Sequence, residues 1–426
     1  MGGILRIALV NYRYFVAGGP ERYLFNIKKA LEKRGHTVIP FSVQNSRNQK
    51  SEYERLFLSP IGKGDEVYFS DYKKNASDYL KGFGRMVYSL EAKKVFKRFL
   101  HEVKPDIVYI LYFQNKISCS IVDVAYSMKI PVVQRISDYS LLAPCDHLYD
   151  QSRRVICEKC LKSRGLLNAL ENRCVYNSVV YSAVKSVALC VQKMRKTSQK
   201  ISKYIFPSVF TRGKFLENGF EQEKSVHIQT PFDLTNLRND LKIEYEPFAL
   251  YIGRIDPDKG LETLLDAFVE TKFQLKIIGF SSTVGYESIL KERLKGKRHQ
   301  IEFLGKMDFP SIQTYLAKCL FTVVPSEWYD NLPNTLLESY AFGKCVVATD
   351  IGSLSEAVEN GKTGFLFQYR NSLDLMQKCI RLFNERGLAA QMGTNALKKI
   401  QTFYSMEIHV KKLEKVFVEC LEVKRV

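Results

Sequence analysis

Short continuous apolar runs alternate along this chain with longer stretches in which apolar residues recur every three to four positions. Residues 4–10 form the first run, and a Gly-Gly turn follows at Gly18 and Gly19. Residues 21–34 then place Tyr23, Leu24, Ile27 and Leu31 at helical spacing before Gly35, a natural C-cap. A second run at 37–43 completes a β-α-β unit, which predicts a parallel sheet with right-handed crossovers. Runs at 107–111 and 131–134 bracket a helical pattern at 117–128, and the alternation continues to Pro207. It then restarts. Strands are predicted at 248–252, 275–278, 301–304, 321–325 and 345–349, with helices at 261–271, 288–294 and 334–342 between them.

The pattern therefore predicts two doubly wound α/β domains joined between Pro231 and Pro247, where residues 236–242 are polar and carry no clear period. A length of 426 residues agrees, because single cores stop growing near ~300 residues. Open sheets of this kind bind ligands at the carboxyl ends of their strands, so a cleft between the domains is the expected site.

Charge changes the picture next. Residues 1–240 hold 39 Lys and Arg against 22 Asp and Glu, whereas residues 241–426 hold 25 against 23, so nearly all of the net charge of +19 lies in the first half. Such a field suits a polyanionic partner. No helix-turn-helix or aromatic RNA-binding motif accompanies it, so no nucleic-acid partner is expected. An anionic membrane surface is. The segments 93–104 and 192–204, which mix Lys and Arg with apolar residues, are predicted to lie on it. Residues 4–10, interrupted by Arg6 and followed by no small-residue cleavage site, do not read as a secretory leader. The apolar stretch 178–191 contains Lys185 and is shorter than the ~20 residues of a spanning helix. A cytoplasmic protein, peripheral at the inner face of the membrane, is expected. A nicotinamide-dependent oxidoreductase would need Gly-x-Gly-x-x-Gly after the first strand, which is missing.

The chemistry concentrates in the second half. After the strand at 248–252 comes Gly253-Arg254-Ile255-Asp256-Pro257-Asp258-Lys259-Gly260 and then a helix, so two cations stand where backbone N–H groups and the helix dipole already favour anions. Arg254 offers a planar fork and Lys259 a point charge to a diphosphate. Asp256 and Asp258 have the spacing of a divalent-metal motif, but with those cations beside them they are read as caps of the following helix. The second element is Pro325-Ser326-Glu327-Trp328-Tyr329-Asp330-Asn331-Leu332-Pro333 leading into a helix that carries Glu338. Carboxylates at Asp330 and Glu338 would accept hydrogen bonds from sugar and ribose hydroxyls.

Together these motifs resemble family 4 of the glycosyltransferases, which have the GT-B fold of two facing Rossmann-like domains. Gly18-Gly19-Pro20-Glu21-Arg22, Phe206-Pro207-Ser208 and Gly361-Lys362-Thr363-Gly364-Phe365-Leu366 are also similar to that family's patterns. The resemblance implies an acceptor-binding domain at 1–240, a donor-binding domain at 241–405 and a C-terminal helix at 406–426 returning to the first domain. It implies a retaining transfer of a hexose from a UDP- or GDP-sugar to a glycan or lipid-linked acceptor in cell-surface polysaccharide synthesis. An epimerase or phosphorylase of the same fold is the alternative. Arg254 and Lys259 are expected to hold the phosphates, Glu338 the ribose and Asp330 the sugar, with Gly253, Asn331, Leu332, Gly18, Gly19, Ser137 and Asp138 also lining the donor. Asp330 departs from the family's usual Glu, and Ser137 stands where many relatives have a His. No metal or organic cofactor is expected in catalysis, and the resemblance implies that the departing phosphate helps to deprotonate the acceptor, so no protein nucleophile is needed.

Cys145, Cys157, Cys160 and Cys174 form a Cys-x11-Cys-x2-Cys-x13-Cys array within a cysteine-rich insertion at about 145–174. Four thiolates at such spacing predict a structural zinc, with His147 as a substitute ligand. The alternatives are a solvent-facing or disulfide-linked loop and small buried hydrophobic residues.

Overall fold

The structure is a computed structural model, and it describes residues 3–66, 75–162, 165–238 and 240–422. In chain order the elements are β1 (Arg6–Val10), α1 (Gly19–Lys33), β2 (Thr37–Phe41), α2 (Ala76–Val87), α3 (Leu90–Val103), β3 (Ile107–Ile110), α4 (Ser120–Ser127) and β4 (Val132–Arg135). Then come β5 (Tyr149–Asp150), β6 (Val155–Ile156), α5 (Leu167–Glu171), α6 (Val179–Met194), β7 (Lys203–Phe206), α7 (Val209–Leu216) and β8 (Ser225–His227). The second half runs β9 (Phe248–Ile252), α8 (Leu261–Phe268), β10 (Gln274–Ile278), α9 (Tyr286–Leu294), β11 (Gln300–Gly305), α10 (Phe309–Lys318), β12 (Phe321–Val324) and α11 (Asn334–Ala341). It ends with β13 (Val346–Thr349), α12 (Gly352–Ala357), β14 (Gly364–Phe367), α13 (Ser372–Asn384), α14 (Arg386–Phe403) and α15 (Met406–Glu422).

Two compact units result. One comprises Met1–Asp146, Glu158–Gln229 and Met406–Val426, the other His147–Cys157 and Thr230–Ser405. Each is built on a six-stranded sheet, β2-β1-β3-β4-β7-β8 in the first unit and β11-β10-β9-β12-β13-β14 in the second, with every adjacent pair parallel. Helices cover both faces, so the central strands are buried on both sides and read as unbroken apolar runs, while the edge strand β11 stays largely exposed. In the second unit one face packs Leu264, Leu265 and Leu290 on Tyr251 and Ile277, while the other packs Leu336, Tyr340 and Ile400 on Val346 and Ala348. Numbered within the unit, its strand order is the 3-2-1-4-5-6 of a Rossmann fold, whose ligand crevice opens where the order reverses, here between β9 and β12.

The chain passes from the first unit to the second between Gln229 and Thr230, upstream of the polar stretch read as the join, in which Asn239 lies outside the described residues. It returns at α15, and residues 423–426 of the helix expected at 406–426 lie outside the described residues. Val410, Leu413 and Phe417 of α15 enter the same core as Leu9, Tyr109 and Ile205. His409 fixes the register: its Nδ1–H donates to the Gln229 carbonyl at 2.8 Å, and its Nε2 accepts from the Tyr23 hydroxyl at 2.9 Å. Burial holds its pKa down at about 3, so the ring is neutral and can play both parts.

The two segments predicted to lie on lipid are ordinary parts of the first unit. In α3 the residues Phe96, Phe99, Leu100 and Val103 face the core, which leaves the lysines on a solvated outer face. Residues 192–204 contain the end of α6, a turn and the start of β7, with Ile201 and Tyr204 buried. Among the described residues no helix is long and apolar enough to cross a membrane.

Candidate functional site

Both halves of the expected donor constellation emerge at the switch point of the second sheet. β9 and β12 are hydrogen-bonded neighbours, and the loops that follow them are 253–260 and 325–333. The Glu327 N–H locks the loops together by donating to the Asp258 carbonyl at 2.9 Å, and Thr335 Oγ1 of α11 donates to the Ile252 carbonyl of β9 at 3.0 Å. Gly260 has φ +69°, and a Cβ there would stand 1.9 Å from the Pro325 carbonyl oxygen. Only glycine allows that approach. Gly279, after β10, meets the same limit against the Gly253 carbonyl, where a Cβ would lie at 1.8 Å.

On this frame the cations are held by carboxylates. The Lys259 ammonium donates to Asp330 Oδ2 at 2.6 Å and sits 5.0 Å from the centroid of the Trp328 ring. Arg254 pairs with Asp256 through Nη1 and with Asp258 through Nη2, the latter at 3.1 Å, while its side chain stays 41% exposed. Burial works to raise the Asp258 pKa, but Arg254 and then Lys259 outweigh it and hold the carboxyl below its ordinary value. A guanidinium has five N–H donors and an ammonium three, so both cations keep donors for a further anion. The structure brings together Arg254, Lys259 and Asp330 as expected, and it pairs two of them directly.

The helix-cap reading of Asp256 and Asp258 is corrected. No side chain caps α8, whose N-cap is Gly260. Asp256 is buried and instead accepts from Ser282 N–H at 3.0 Å and Thr283 N–H at 3.1 Å, tying the clamp loop to the loop after β10. Asp258 serves Arg254. α11 has Pro333 at its N-cap and no side-chain cap, so its first N–H groups and its dipole favour an anion. Glu338 lies in the second turn of α11 and is only 3% exposed. Leu332, in the left-handed region with φ +68°, donates its N–H to Ser353 Oγ at 2.9 Å, and that hydroxyl donates onward to the Asp330 carbonyl. Ser353 thus shapes the Asp330-Asn331-Leu332 turn, a role the sequence pattern did not reveal.

Glu327 was also missed. It is buried and accepts from Thr263 Oγ1 at 2.7 Å and from Arg370 Nε at 2.6 Å, so this carboxylate fastens the acidic loop to α8 and to the start of α13. Only its neighbourhood to Asp330 could have drawn attention to it, and that would have suggested the wrong role.

The cysteine-rich stretch is divided between the units. Among the described residues no group of three His, Cys, Asp or Glu side chains is placed to hold a metal ion, and residues 163–164 lie outside the described set. Cys145 and Cys174 are buried in the first unit, and Cys157 and Cys160 are partly exposed. The His147 ring packs edge-on against Trp328 at 4.4 Å. With it the β5–β6 hairpin joins the second unit, where Tyr149 OH donates to the Pro257 carbonyl at 3.4 Å and Arg154 pairs with Glu262.

The remaining expected residues belong to the first unit. Gly18 and Gly19 begin α1, with Pro20 in its first turn. Ser137 Oγ donates to the Leu111 carbonyl at 3.3 Å and accepts from Arg135 at 3.2 Å. Asp138 accepts from Ser140 N–H at 2.9 Å, capping a turn. Burial, followed by the nearby Asp146 charge, raises the Asp138 pKa to about 6 against the opposing pull of Ser140 and Lys185. A carboxyl with a raised folded pKa stabilises the fold below its unfolded value, and that contribution is lost as pH rises through the folded value. Asp138→Asn, which keeps an oxygen for Ser140, is therefore expected to gain stability over the parent as pH goes from 4 to 8, by roughly 3 kcal/mol. Urea unfolding of both proteins at each pH measures this. Parallel stability curves would refute the burial argument.

Residues 234–399, which hold Arg254, Lys259, Asp330 and Glu338, match the family model described as Glycosyl transferases group 1. An uncharacterized glycosyltransferase of Methanocaldococcus jannaschii is 33% identical over 172 residues, 40% of this chain and 48% of the relative, so the match spans about half of that protein. A capsular polysaccharide biosynthesis glycosyltransferase, CapM of Staphylococcus aureus, is 24% identical over 56% of this chain and 64% of its own length. Among solved structures, Anabaena HepE in complex with UDP superposes with a TM-score of 0.63 at 16% identity, covering 97% of this chain and 100% of that one. The likeness in fold bears out the GT-B class.

Proposed function

We propose that the protein moves a hexose from a nucleotide-sugar to a glycan or lipid-linked acceptor, with retention of configuration, a reading that the match of residues 234–399 to the glycosyl transferases group 1 model supports. The observation that carries this reading is the pairing of Lys259 with Asp330 beside Arg254 at the switch point of the second sheet. Arg254 and Lys259 bind the diphosphate, together with the uncapped start of α11, and stabilise the charge that builds on it as the sugar leaves. Glu338 accepts from the ribose hydroxyls. Asp330, held by Lys259, accepts from a hydroxyl of the sugar, so phosphate and sugar are positioned by one connected group.

A UDP-sugar is the favoured donor, because HepE, which shares the fold, is described as a UDP complex. Cell-surface polysaccharide is the favoured product class, in line with the capsular role that the name of CapM states. The acceptor lies on the first unit, whose charge suits an anionic membrane surface carrying a lipid-linked glycan. A panel of UDP- and GDP-hexoses tests the reading by thermal stabilisation and slow release of free sugar. At least one UDP-hexose is expected to raise Tm by several degrees, about 2–4 °C for each kcal/mol of binding. No shift with any nucleotide-sugar would overturn the donor assignment. Rapid sugar release unaffected by any glycan acceptor would favour the epimerase or phosphorylase alternative.

A further inference from the structure

The β5–β6 hairpin stands in sequence among residues of the first unit, yet it packs in the second. Side chains on and beside it reach both loops of the donor constellation. Tyr149, buried in β5, donates its hydroxyl to the Pro257 carbonyl of the 253–260 loop at 3.4 Å. Arg154 pairs with Glu262 in the first turn of α8, just beyond Lys259 and Gly260. His147, just before β5, meets the other loop: its ring centroid lies 4.4 Å from that of Trp328, with the two planes at 77°. Edge-to-face contacts of this kind are attractive and directional.

Trp328 is the chain's one tryptophan and is 7% exposed. Its buried Nε1 has no hydrogen-bond partner among the described residues, so packing alone orients the indole. The Lys259 ammonium sits 5.0 Å from the ring centroid and donates to Asp330 on the same loop at 2.6 Å. An ammonium on a flexible four-carbon stem needs more than one partner to stay in place, and the aromatic face is the second. We propose that His147 is a positioning residue of the donor clamp: by seating Trp328 it fixes where the Lys259 charge stands relative to the leaving diphosphate. This rests on the donor reading above. Stabilisation of a leaving group depends on charge already in position, and a shift of ~1 Å in such a group can cost about 100-fold in rate. Tyr149 and Arg154 hold the hairpin, and with it His147, against the same constellation.

Steady-state kinetics with the best nucleotide-sugar and calorimetry of UDP, both on the full chain, test the proposal, with Trp328 emission as the local reporter. His147→Ala is expected to lower kcat about tenfold and to weaken UDP about threefold, with Tm within a few degrees of the parent. Its emission should move to longer wavelength as the indole loosens. His147→Phe, which keeps the ring and drops its nitrogens, should restore most of the loss. In the Lys259→Ala background, His147→Ala should cost at most about twofold more, because the group it positions is gone. Equal kcat and UDP affinity in the parent and His147→Ala would overturn the proposal and leave the donor reading standing. So would equal losses in His147→Ala and His147→Phe, or a full tenfold loss retained without Lys259. Were His147→Ala to unfold, His147→Leu, which fills the space with no aromatic edge, takes its place in each comparison. No UDP binding by the parent itself would overturn the donor reading, and this proposal with it.

Discussion

Glu338→Ala is expected to lower kcat/KM by roughly three orders of magnitude, and Glu338→Gln by one to two. The carboxylate is buried in the second turn of α11, so its removal leaves the ribose hydroxyls without an ionised acceptor in a site where water replaces it poorly. Gln keeps the shape and one acceptor oxygen but loses the charge, which makes its smaller effect the test of the hydrogen-bonding role. Tm of the Gln variant should stay within a few degrees of the parent. Steady-state rates with the best nucleotide-sugar give the comparison, and equal losses for Gln and Ala would argue that the residue supports only the fold.

Lys259→Ala is expected to reduce kcat by about two to three orders of magnitude, the usual result of removing a preorganised charge at a leaving group. Its pairing with Asp330 at 2.6 Å adds a sharper expectation. Without Lys259 the Asp330 carboxylate is left beside the phosphates unpaired, so Asp330→Asn in the Lys259→Ala background should cost little more, or even restore some activity. The double-mutant cycle should therefore depart from additivity by at least ~1 kcal/mol. Additive effects would mean that the two residues act on the donor independently.

Nine of the twelve strands of the two sheets were legible because parallel strands buried on both faces leave continuous apolar runs, while β7, β8 and β14 were given no strand. Residues 248–252 and β9 coincide, and 321–325 overshoots β12 by one residue. The clamp was legible for a similar reason, since a loop between a strand and a helix places its cations in a known way. What escaped were roles set by contacts distant in sequence. Asp256 looked like a cap by its position before a helix, but its partners are Ser282 and Thr283 on another loop. The cysteine spacing suggested a metal site, whereas the hairpin between the cysteines follows Trp328, Pro257 and Glu262 into the second unit.

On the proposed function, Arg254 and Lys259 hold the donor through its diphosphate. Titration calorimetry of UDP against the parent chain and against Arg254→Ala/Lys259→Ala, with uridine as the phosphate-free control, addresses it. UDP should bind the parent in the micromolar range and the double variant at least ~30-fold more weakly, about 2 kcal/mol, while the weak binding of uridine stays the same in both. Equal UDP affinity in the two proteins would contradict the claim.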